Sequence, residues 1–330
     1  MKRSRIVGTG SFVPPRVVHN EEVGGPLGLN SDQITALTGI RTRHWAGPGH
    51  ASSDLAIEAG RRACEAAGIP PQSLNAILVS TTSPDSAFPS TACHVQRALG
   101  AETVMAFDLS ASCSGFLYGL SMADAMIRSG HIRSCLVVAA EVKSRSLDPA
   151  DRETAVLFGD GAGAVVLVQE ESIRPEAAGV LGVRLYAEGA GHGLITIPAG
   201  GSRKPSGTET VRGKEHLLRM RGSAVFRTAI RHLEQAILEL LKEFGLSTID
   251  VRRVIAHQAN ARILEQLRRR LGLPREVVYS VIERYGNTSS ASLPIALDCA
   301  VREQRLAAGD VVVLAAFGGG LTWATGLVRW

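Results

Sequence analysis

Three polar side chains stand in turns of small residues where packing alone would not place them, and together they have the makings of thioester chemistry. Cys113 follows an apolar strand and opens an apolar helix, where free backbone N–H groups and the helix dipole favour a thiolate. His257 ends a second apolar strand, and Asn287 lies in a polar turn before another apolar helix. A thiolate accepts an acyl group, while an imidazole Nε2 and an amide Nδ2 can donate to a thioester enolate.

Each of these residues also has an ordinary explanation. A lone cysteine is most often a small buried hydrophobe, a histidine at a strand end is usually a core or capping residue, and an asparagine before a helix is usually a turn residue. The chemical interpretation therefore depends on finding all three together. The backbone N–H groups of Cys113 and of the turn Gly318-Gly319-Gly320 add a predicted oxyanion hole for the acyl oxygen.

The elements around these turns repeat in outline along the chain. An apolar strand ending at Phe107 leads through residues 108–114 into an apolar helix that stops before Gly130, and the matching turn of the second part begins at Tyr285. A strand, a Phe-Gly-x-Gly turn and a strand ending in Leu-Val occur over residues 136–168 and again over residues 310–328. The sequence thus predicts two related α/β halves.

Two glycine-rich stretches resemble phosphate-binding loops, and neither has the context that such a loop needs. Gly8-Thr9-Gly10 is followed by Pro14-Pro15 where a dinucleotide-binding fold requires a helix, and we reject that interpretation. The glycines of residues 158–163 are followed by a strand instead of a helix N-terminus. We interpret them as a tight turn with a close backbone approach.

Composition narrows the class of protein. The chain has 330 residues, of which 45% are hydrophobic and 20% charged, as in globular proteins with a filled core. A net charge of +5 allows an acidic partner, but 5% aromatic residues without basic–aromatic interleaving do not indicate nucleic acid. No apolar run approaches the roughly 18 residues of a membrane span. Five cysteines without a C-x-x-C spacing predict neither disulfides nor a metal site, so we expect a cytoplasmic protein.

The chain resembles the β-ketoacyl-acyl-carrier-protein synthase III family, condensing enzymes of the thiolase fold, over essentially its whole length. Eight motifs in the family's order carry the resemblance. They are Gly39-Ile40-Arg41-x-Arg43, Phe88-Pro89-Ser90, Ala111-x-Cys113-x-Gly115-Phe116, Asp151-Arg152, the residues 158–163, His257-Gln258-Ala259-Asn260, Gly286-Asn287-Thr288-Ser289 and Phe317-Gly318-Gly319-Gly320. The resemblance implies a five-layered α-β-α-β-α arrangement of two thiolase-like halves, over residues 1–172 and 173–330.

The resemblance also implies a role for each matching residue of the site. Cys113 matches the acyl-accepting nucleophile, and His257 and Asn287 match the pair that promotes decarboxylation of a malonyl thioester. Phe317 matches the phenylalanine beside the site, and Gly319 matches the glycine whose amide completes the oxyanion hole.

Further matches concern substrates and partners. Positions that match the pantetheine tunnel are Arg152, Gly222, Phe226 and Asn260, and positions that match the basic dock for acyl carrier protein are Arg227 and Arg262. Phe88 matches a residue that reaches the partner subunit's acyl pocket, which implies a homodimer. Coenzyme A and carrier-protein thioesters are implied as substrates, with no cofactor and no metal.

Three positions depart from the family's usual pattern. Gln33 and Leu37 stand where a tryptophan and an arginine usually hold the adenine of coenzyme A, and Leu321 stands where a phenylalanine is common. An amide and an aliphatic side chain provide neither a ring face nor a charge for the adenine. These changes do not affect the predicted catalytic residues, but the sequence does not determine which acyl donor the protein uses.

We therefore expect a condensing enzyme that loads an acyl group on Cys113 and joins it to malonyl carrier protein. The main alternative is a thiolase-fold acyltransferase of secondary metabolism that moves the acyl group without decarboxylation. That reaction does not need Asn287 as a donor to an enolate. A protein that only binds acyl groups is a third alternative, and the intact nucleophile with its donors argues against it. Acyl chain length, and fatty-acid against polyketide synthesis, stay open.

Overall fold

The structure is a computed structural model and describes residues 2–171 and 177–330. The strands of its first part are β1 (Lys2–Phe12), β2 (Val17–His19), β3 (Thr42–His44), β4 (Ala76–Ser80), β5 (Met105–Leu109), β6 (Ser134–Glu141) and β7 (Gly161–Glu171). Its helices are α1 (Asn20–Gly24), α2 (Ser31–Thr38), α3 (Ser52–Ala67), α4 (Thr91–Ala98) and α5 (Gly115–Arg128).

The second part has a similar set of elements. Its strands are β8 (Gly179–Ala187), β9 (Ile195–Thr196), β10 (Arg219–Met220), β11 (Arg253–Ala256), β12 (Val278–Tyr279), β13 (Val311–Gly318) and β14 (Thr322–Arg329). Its helices are α6 (Thr208–Arg212), α7 (Gly222–Glu243), α8 (Ala261–Arg270), α9 (Ile282–Tyr285) and α10 (Ser292–Arg302).

Two five-stranded mixed sheets repeat the same topology. The first has the order β1-β7-β6-β4-β5 and the second the order β8-β14-β13-β11-β12. In each, the three strands at one side are parallel to one another and the two at the other side join antiparallel. The repeated order confirms two duplicated α/β halves. The predicted boundary between residues 172 and 173 lies outside the described residues and stays a prediction.

Three hydrophobic clusters order the elements into five layers. The central cluster packs α5 and α10 between the two sheets. A second cluster packs α3 and α4 on the outer face of the first sheet, and a third packs α7 and α8 on the outer face of the second sheet. The predicted α-β-α-β-α arrangement is confirmed. Because α5 and α10 are nearly all apolar, they can lie in the central layer with protein on every side.

The central layer brings the two helix-opening turns of the duplicated unit together. Cys113 precedes α5, which follows β5, and Asn287 precedes α10, which follows β12. Polar residues at the carboxyl ends of parallel strands meet at one edge of each sheet. The duplication thus brings the turn before each central helix to a shared site.

Two predictions about the glycine-rich stretches have clear outcomes. Gly8 and Gly10 lie inside β1, which confirms that this stretch is not a nucleotide loop. Gly161 and Gly163 lie inside β7, so the strand begins earlier than residue 164, where the sequence predicted it. The predicted close approach is real, because a Cβ on Gly163 would lie 2.6 Å from the backbone nitrogen of Ile295 in α10.

No helix within residues 2–171 and 177–330 is both long enough and apolar enough to cross a bilayer.

Gly163→Ala should lower the free energy of unfolding by about 1–3 kcal/mol, the usual penalty for overpacking a core. The added methyl group would push against the α10 backbone, which cannot rotate away as a side chain can. Urea denaturation followed by circular dichroism measures the change. Gly193→Ala is the matched control, since no heavy atom lies within 4 Å of its added Cβ. Equal losses in the two variants would contradict the prediction.

Candidate active site

One cavity of about 420 Å³ brings the predicted chemical residues together. Cys113, His257 and Asn287 all line it, and so do Phe317 and Gly319. Cys113 lies in the turn after β5, and Asn287 lies in the turn before α10. His257 directly follows β11, and Phe317 and Gly319 lie at the end of β13. The set predicted from four distant segments of the chain therefore shares one space.

Cys113 lies in a short 3-10 turn, Ser112–Ser114, that joins β5 to α5. Ser112 begins this turn at φ +50°, a conformation that is uncommon for residues other than glycine. The turn packs so closely on the strand end that a Cβ on Gly318 would lie 2.6 Å from the backbone nitrogen of Cys113. The Cys113 backbone in the first half is thus packed directly against the end of β13 in the second half.

The expectation of a lowered thiol pKa is wrong. Burial raises the pKa of Cys113 above its ordinary value, and the negative charge of Glu141 acts in the same direction. The Ser289 hydroxyl donates a hydrogen bond to Glu141 Oε1 at 3.1 Å. Its oxygen lies 3.5 Å from the sulfur and can therefore accept a hydrogen bond from the Cys113 thiol. Desolvation of the anion outweighs the favourable end of the helix dipole here. The resting nucleophile is a thiol.

His257 is a neutral ring whose free nitrogen can donate into the cavity. Its Nδ1 lies 2.5 Å from the Ser292 hydroxyl, which accepts from the backbone N–H of Gln258 at 3.0 Å. That hydroxyl has one hydrogen, and among the described contacts Nδ1 is the acceptor in reach of it, so we infer that Nδ1 accepts and that the ring carries its proton on Nε2. Burial lowers the pKa of His257 to about 4. At neutral pH the ring is an uncharged Nε2–H donor.

Asn287 is held in the orientation that a donor requires. Its Oδ1 accepts from the backbone N–H of Ser289 at 2.9 Å, which turns Nδ2 away from that contact. Its backbone N–H donates to Leu157 at 2.9 Å and its carbonyl accepts from Gly159 at 3.0 Å, so first-half residues hold the turn. The amide Nδ2 and the ring Nε2 are therefore two neutral donors in one cavity.

The predicted second oxyanion hole is occupied by a side chain of the protein itself. The Gly319 N–H donates to Ser112 Oγ at 3.1 Å. An acyl oxygen would have to displace this hydroxyl before it could accept from Gly319. The role predicted for Gly319 thus stays a prediction, with Ser112 as a competitor that the sequence did not indicate.

A second cavity of about 460 Å³ forms the mouth of the site and contains the predicted binding residues. It shares Met220, Val225, Ala259, Ile263 and Asn287 with the inner cavity, so the two adjoin. The predicted tunnel and dock residues that line it are Arg152, Gly222, Phe226, Arg227, Asn260 and Arg262. The outer cavity is therefore basic, with three arginines against Glu153, and most of the residues that it shares with the cavity of Cys113 are apolar.

Several mouth residues are already engaged in local contacts. Arg152 donates to the carbonyl of Leu27 at 2.6 Å, and Asn260 caps α8 through the Arg262 backbone N–H at 2.8 Å. The Arg262 guanidinium lies 5.9 Å from the centroid of the Phe226 ring. These contacts hold the polar and aromatic groups of the mouth in place.

The two positions that differ from the family's adenine-binding pair, and the residue predicted to lie at a dimer interface, are at the margin of the site. Leu37 lines the mouth and is half exposed, whereas Gln33 forms a capping box with Asn30 at the start of α2. Phe88 lines neither cavity and is 85% exposed. A large apolar ring so exposed is consistent with an interface, which stays a prediction.

Three polar residues matter to the site and were not singled out from the sequence. Ser289 and Ser292 orient Asn287 and His257 through the contacts described above. Glu141 is fully buried and accepts from Ser289 and Ser290. A charge at the end of the apolar strand 135–140 was a usable signal for Glu141. The serines had none, because serine is ordinary in a turn.

Within the described parts of the chain, no group of three histidine, cysteine or acidic side chains is placed to hold a metal ion.

Comparison with known proteins gives a consistent picture over the whole chain. The family model of 3-oxoacyl-[acyl-carrier-protein] synthase III matches residues 107–189, and that of its C-terminal part matches residues 241–330. The beta-ketoacyl-[acyl-carrier-protein] synthase III of Erythrobacter litoralis is 48% identical, covering 100% of both chains. The crystal structure of the 3-oxoacyl-[acyl-carrier-protein] synthase III of Aquifex aeolicus is 39% identical, with a TM-score of 0.90 over 99% of this chain and 100% of that one.

A third relative is named for a different pathway. The priming beta-ketosynthase of the R1128 polyketide biosynthetic pathway is 36% identical, with a TM-score of 0.90 over 99% of this chain and 96% of that one. Similarity at this level therefore extends to an enzyme named for polyketide synthesis.

The pKa of His257 predicts how its ring responds to acid. Because burial holds this pKa at about 4, the ring should stay neutral from about pH 8 to pH 5 and take up a proton only below that range. The Cε1–H signal in a carbon–proton NMR titration measures this, and its loss in His257→Ala identifies it. A midpoint near the ordinary value of 6.5 would contradict the buried, neutral ring.

Proposed function

The chain belongs to the beta-ketoacyl-[acyl-carrier-protein] synthase III family, and from that premise we propose how its residues carry out a decarboxylative condensation. An acyl thioester loads Cys113, and malonyl carrier protein then loses carbon dioxide and attacks the acyl group. The product is a 3-oxoacyl carrier protein, the first intermediate of a fatty-acid or polyketide chain. The observation that carries the proposal is the pair of neutral donors on His257 and Asn287 in the cavity of Cys113.

In the first half-reaction, the Cys113 sulfur attacks the thioester carbonyl. The thiol proton leaves with the departing thiol of the donor, so neither sulfur ends the step as a free thiolate in the apolar cavity. The raised pKa of Cys113 favours this course, since a free thiolate would be poorly solvated there. The acyl oxygen is proposed to accept from the Cys113 and Gly319 amides after it displaces Ser112.

In the second half-reaction, the carbon–carboxylate bond of the malonyl thioester breaks and its electrons form an enolate. His257 Nε2–H and Asn287 Nδ2–H are proposed to donate to the enolate oxygen, and a neutral ring donates without first attracting the malonyl carboxylate. The enolate carbon then forms a bond to the acyl carbon, the carbon–sulfur bond to Cys113 breaks, and the sulfur takes a proton from solvent. Plain acyl transfer would leave both donors without a task.

The basic mouth supports a proposed partner, the acidic acyl carrier protein. Arg227 and Arg262 are exposed at the rim of the outer cavity, one on α7 and one on α8. Both lie near the proposed path of the pantetheine arm, whose tunnel would run past Gly222 and Phe226. The run Arg268-Arg269-Arg270 is a weaker candidate, since Glu265 and Glu234 already pair with it.

Further features of the proposal concern assembly, location and donor. We propose a homodimer, supported by the exposed Phe88 ring, and no cofactor beyond the thioester substrates. A cytoplasmic location is supported by five cysteines that are all free, as expected in a reducing compartment. Coenzyme A thioesters are proposed to be weak donors, because neither Gln33 nor Leu37 can stack on an adenine.

His257→Ala and Asn287→Ala should each slow condensation by about 10²–10³-fold, the usual effect of removing one donor to an oxyanion. Loading of Cys113 should suffer less, because the enolate forms only in the second half-reaction. Carbon dioxide release from malonyl carrier protein measures condensation, and intact-protein mass spectrometry measures loading. Cys113→Ala is the control that abolishes loading. Equal losses in both half-reactions would contradict the division of roles.

Charge reversal at the rim, Arg227→Glu or Arg262→Glu, should raise KM for malonyl carrier protein in a salt-dependent way and leave a small malonyl thioester unaffected. Arg133→Glu is the matched control, since this exposed arginine lies beside the amino end of β6, at the opposite edge of the sheet from the site. Steady-state kinetics at two ionic strengths measure the effect. An equal loss on both substrates would indicate misfolding and contradict the dock.

A further inference from the structure

A buried ion pair lies beside the cavity, and its lysine lines the cavity together with the nucleophile. Lys143 Nζ lies 3.3 Å from Glu141 Oε2 and also donates to Thr82 Oγ1. Lys143 is 5% exposed and Glu141 is fully buried. Lys143 and Thr82 line the same cavity as Cys113 but not the mouth. A charged group at this place needs a reason, since an apolar wall would suffice for a saturated acyl chain.

The strand order explains why these groups meet beside the nucleophile. Thr82, Ser110 and Lys143 follow β4, β5 and β6, which are parallel neighbours in the order β6-β4-β5. All three residues line the cavity at the carboxyl edge of the first sheet. Cys113 follows β5 at the same edge, so an acyl group on its sulfur that extends away from the mouth runs toward this polar set.

A short series of contacts also connects the sulfur with the ammonium. Cys113 Sγ lies 3.5 Å from Ser289 Oγ, which donates to Glu141 Oε1 at 3.1 Å, and the other oxygen of Glu141 pairs with Lys143. The ammonium and the sulfur are therefore linked by three contacts and line the same cavity, the space open to an acyl chain on Cys113.

Glu141 is stabilised by many groups besides Lys143. It accepts from the Thr82 backbone N–H at 3.2 Å, Ser83 Oγ at 2.7 Å, Ser289 Oγ at 3.1 Å and Ser290 Oγ at 2.9 Å. Burial raises the pKa of Glu141, but the charge of Lys143 and then the donors Ser83, Thr82 and Ser290 lower it overall. Lys143 thus shares the stabilisation of Glu141 with several hydrogen-bond donors. An ammonium has three N–H donors, and its acceptors among the described residues are two.

We propose that Lys143 is a specificity-determining residue, and that the acyl group loaded on Cys113 bears a neutral oxygen, a hydroxyl or oxo group, that accepts from its ammonium. The inference rests on the proposed function and names the substrate class of the same site. A saturated chain would leave the remaining N–H facing apolar atoms. A carboxylate would meet the negative charge of Glu141 beside the ammonium, so a neutral acceptor fits the pair best.

The test measures loading of Cys113 on the full-length protein, without malonyl substrate. Pantetheine thioesters compete in equimolar pairs that differ by one oxygen function: butanoyl with 3-hydroxybutanoyl, and hexanoyl with 5-oxohexanoyl. Intact-protein mass spectrometry at early times gives the ratio of the two acyl-enzymes. In at least one pair, the oxygen-bearing group should be favoured by about tenfold or more, the discrimination of one hydrogen bond to a charge. A ratio near one in both pairs overturns the inference. Preferential loading of a succinyl thioester, which carries a carboxylate, over every neutral oxygen-bearing group also overturns it.

Variants assign the preference to one side chain. Lys143→Leu should bring the ratio to about one or reverse it, and Lys143→Gln, which keeps an N–H donor, should retain part of it. Lys242→Leu is the matched control, an exposed lysine at the end of α7 whose loss should leave the ratio unchanged. An unchanged ratio in both Lys143 variants overturns the assignment.

The test separates this inference from the proposed function. Loading of Cys113 by any thioester, followed by carbon dioxide release with malonyl carrier protein, upholds the proposed function whatever the ratio. Loading by none of the thioesters overturns both.

Discussion

The buried carboxylate of Glu141 is the interaction on which the geometry of the site depends. It ends β6 in the first half and accepts hydrogen bonds from Ser289 and Ser290 in the second. Ser289 in turn contacts the Cys113 sulfur, and its backbone N–H orients the amide of Asn287. A buried charge is stable only when its partners keep their places, so this one group fixes nucleophile and donor relative to each other.

The same carboxylate also contributes to the resting state of the nucleophile. Burial of the site raises the pKa of Cys113 and the charge of Glu141 acts in the same direction, so the sulfur stays protonated until an acyl donor arrives. Reactive cysteines elsewhere are often thiolates at rest and correspondingly prone to oxidation. In this protein the nucleophile is held in position by its contacts and is uncharged at rest. The ring of His257 is also uncharged, because burial lowers its pKa.

The fold was largely readable from the sequence, and the electrostatics of the site were not. Apolar runs and the repeated Phe-Gly-x-Gly turn predicted two related α/β halves, because strand periodicity and turns are local properties, whereas the five-layered order was implied by the family resemblance. Cys113, His257 and Asn287 were found because their turns were too polar for packing alone. The raised pKa of Cys113 and the hydroxyl of Ser112 on the Gly319 amide depend on segments far apart in the chain, which no local pattern records.

The duplicated strand order has a consequence for the folding of the chain. One copy of the unit supplies the sulfur and the other supplies both neutral donors, so neither copy is competent by itself. A growing or partly folded polypeptide therefore carries a cysteine without the groups that would let it condense thioesters. The site can act only when the second half has packed against the first. Condensing activity is therefore a measure of how much of the protein has reached its native state.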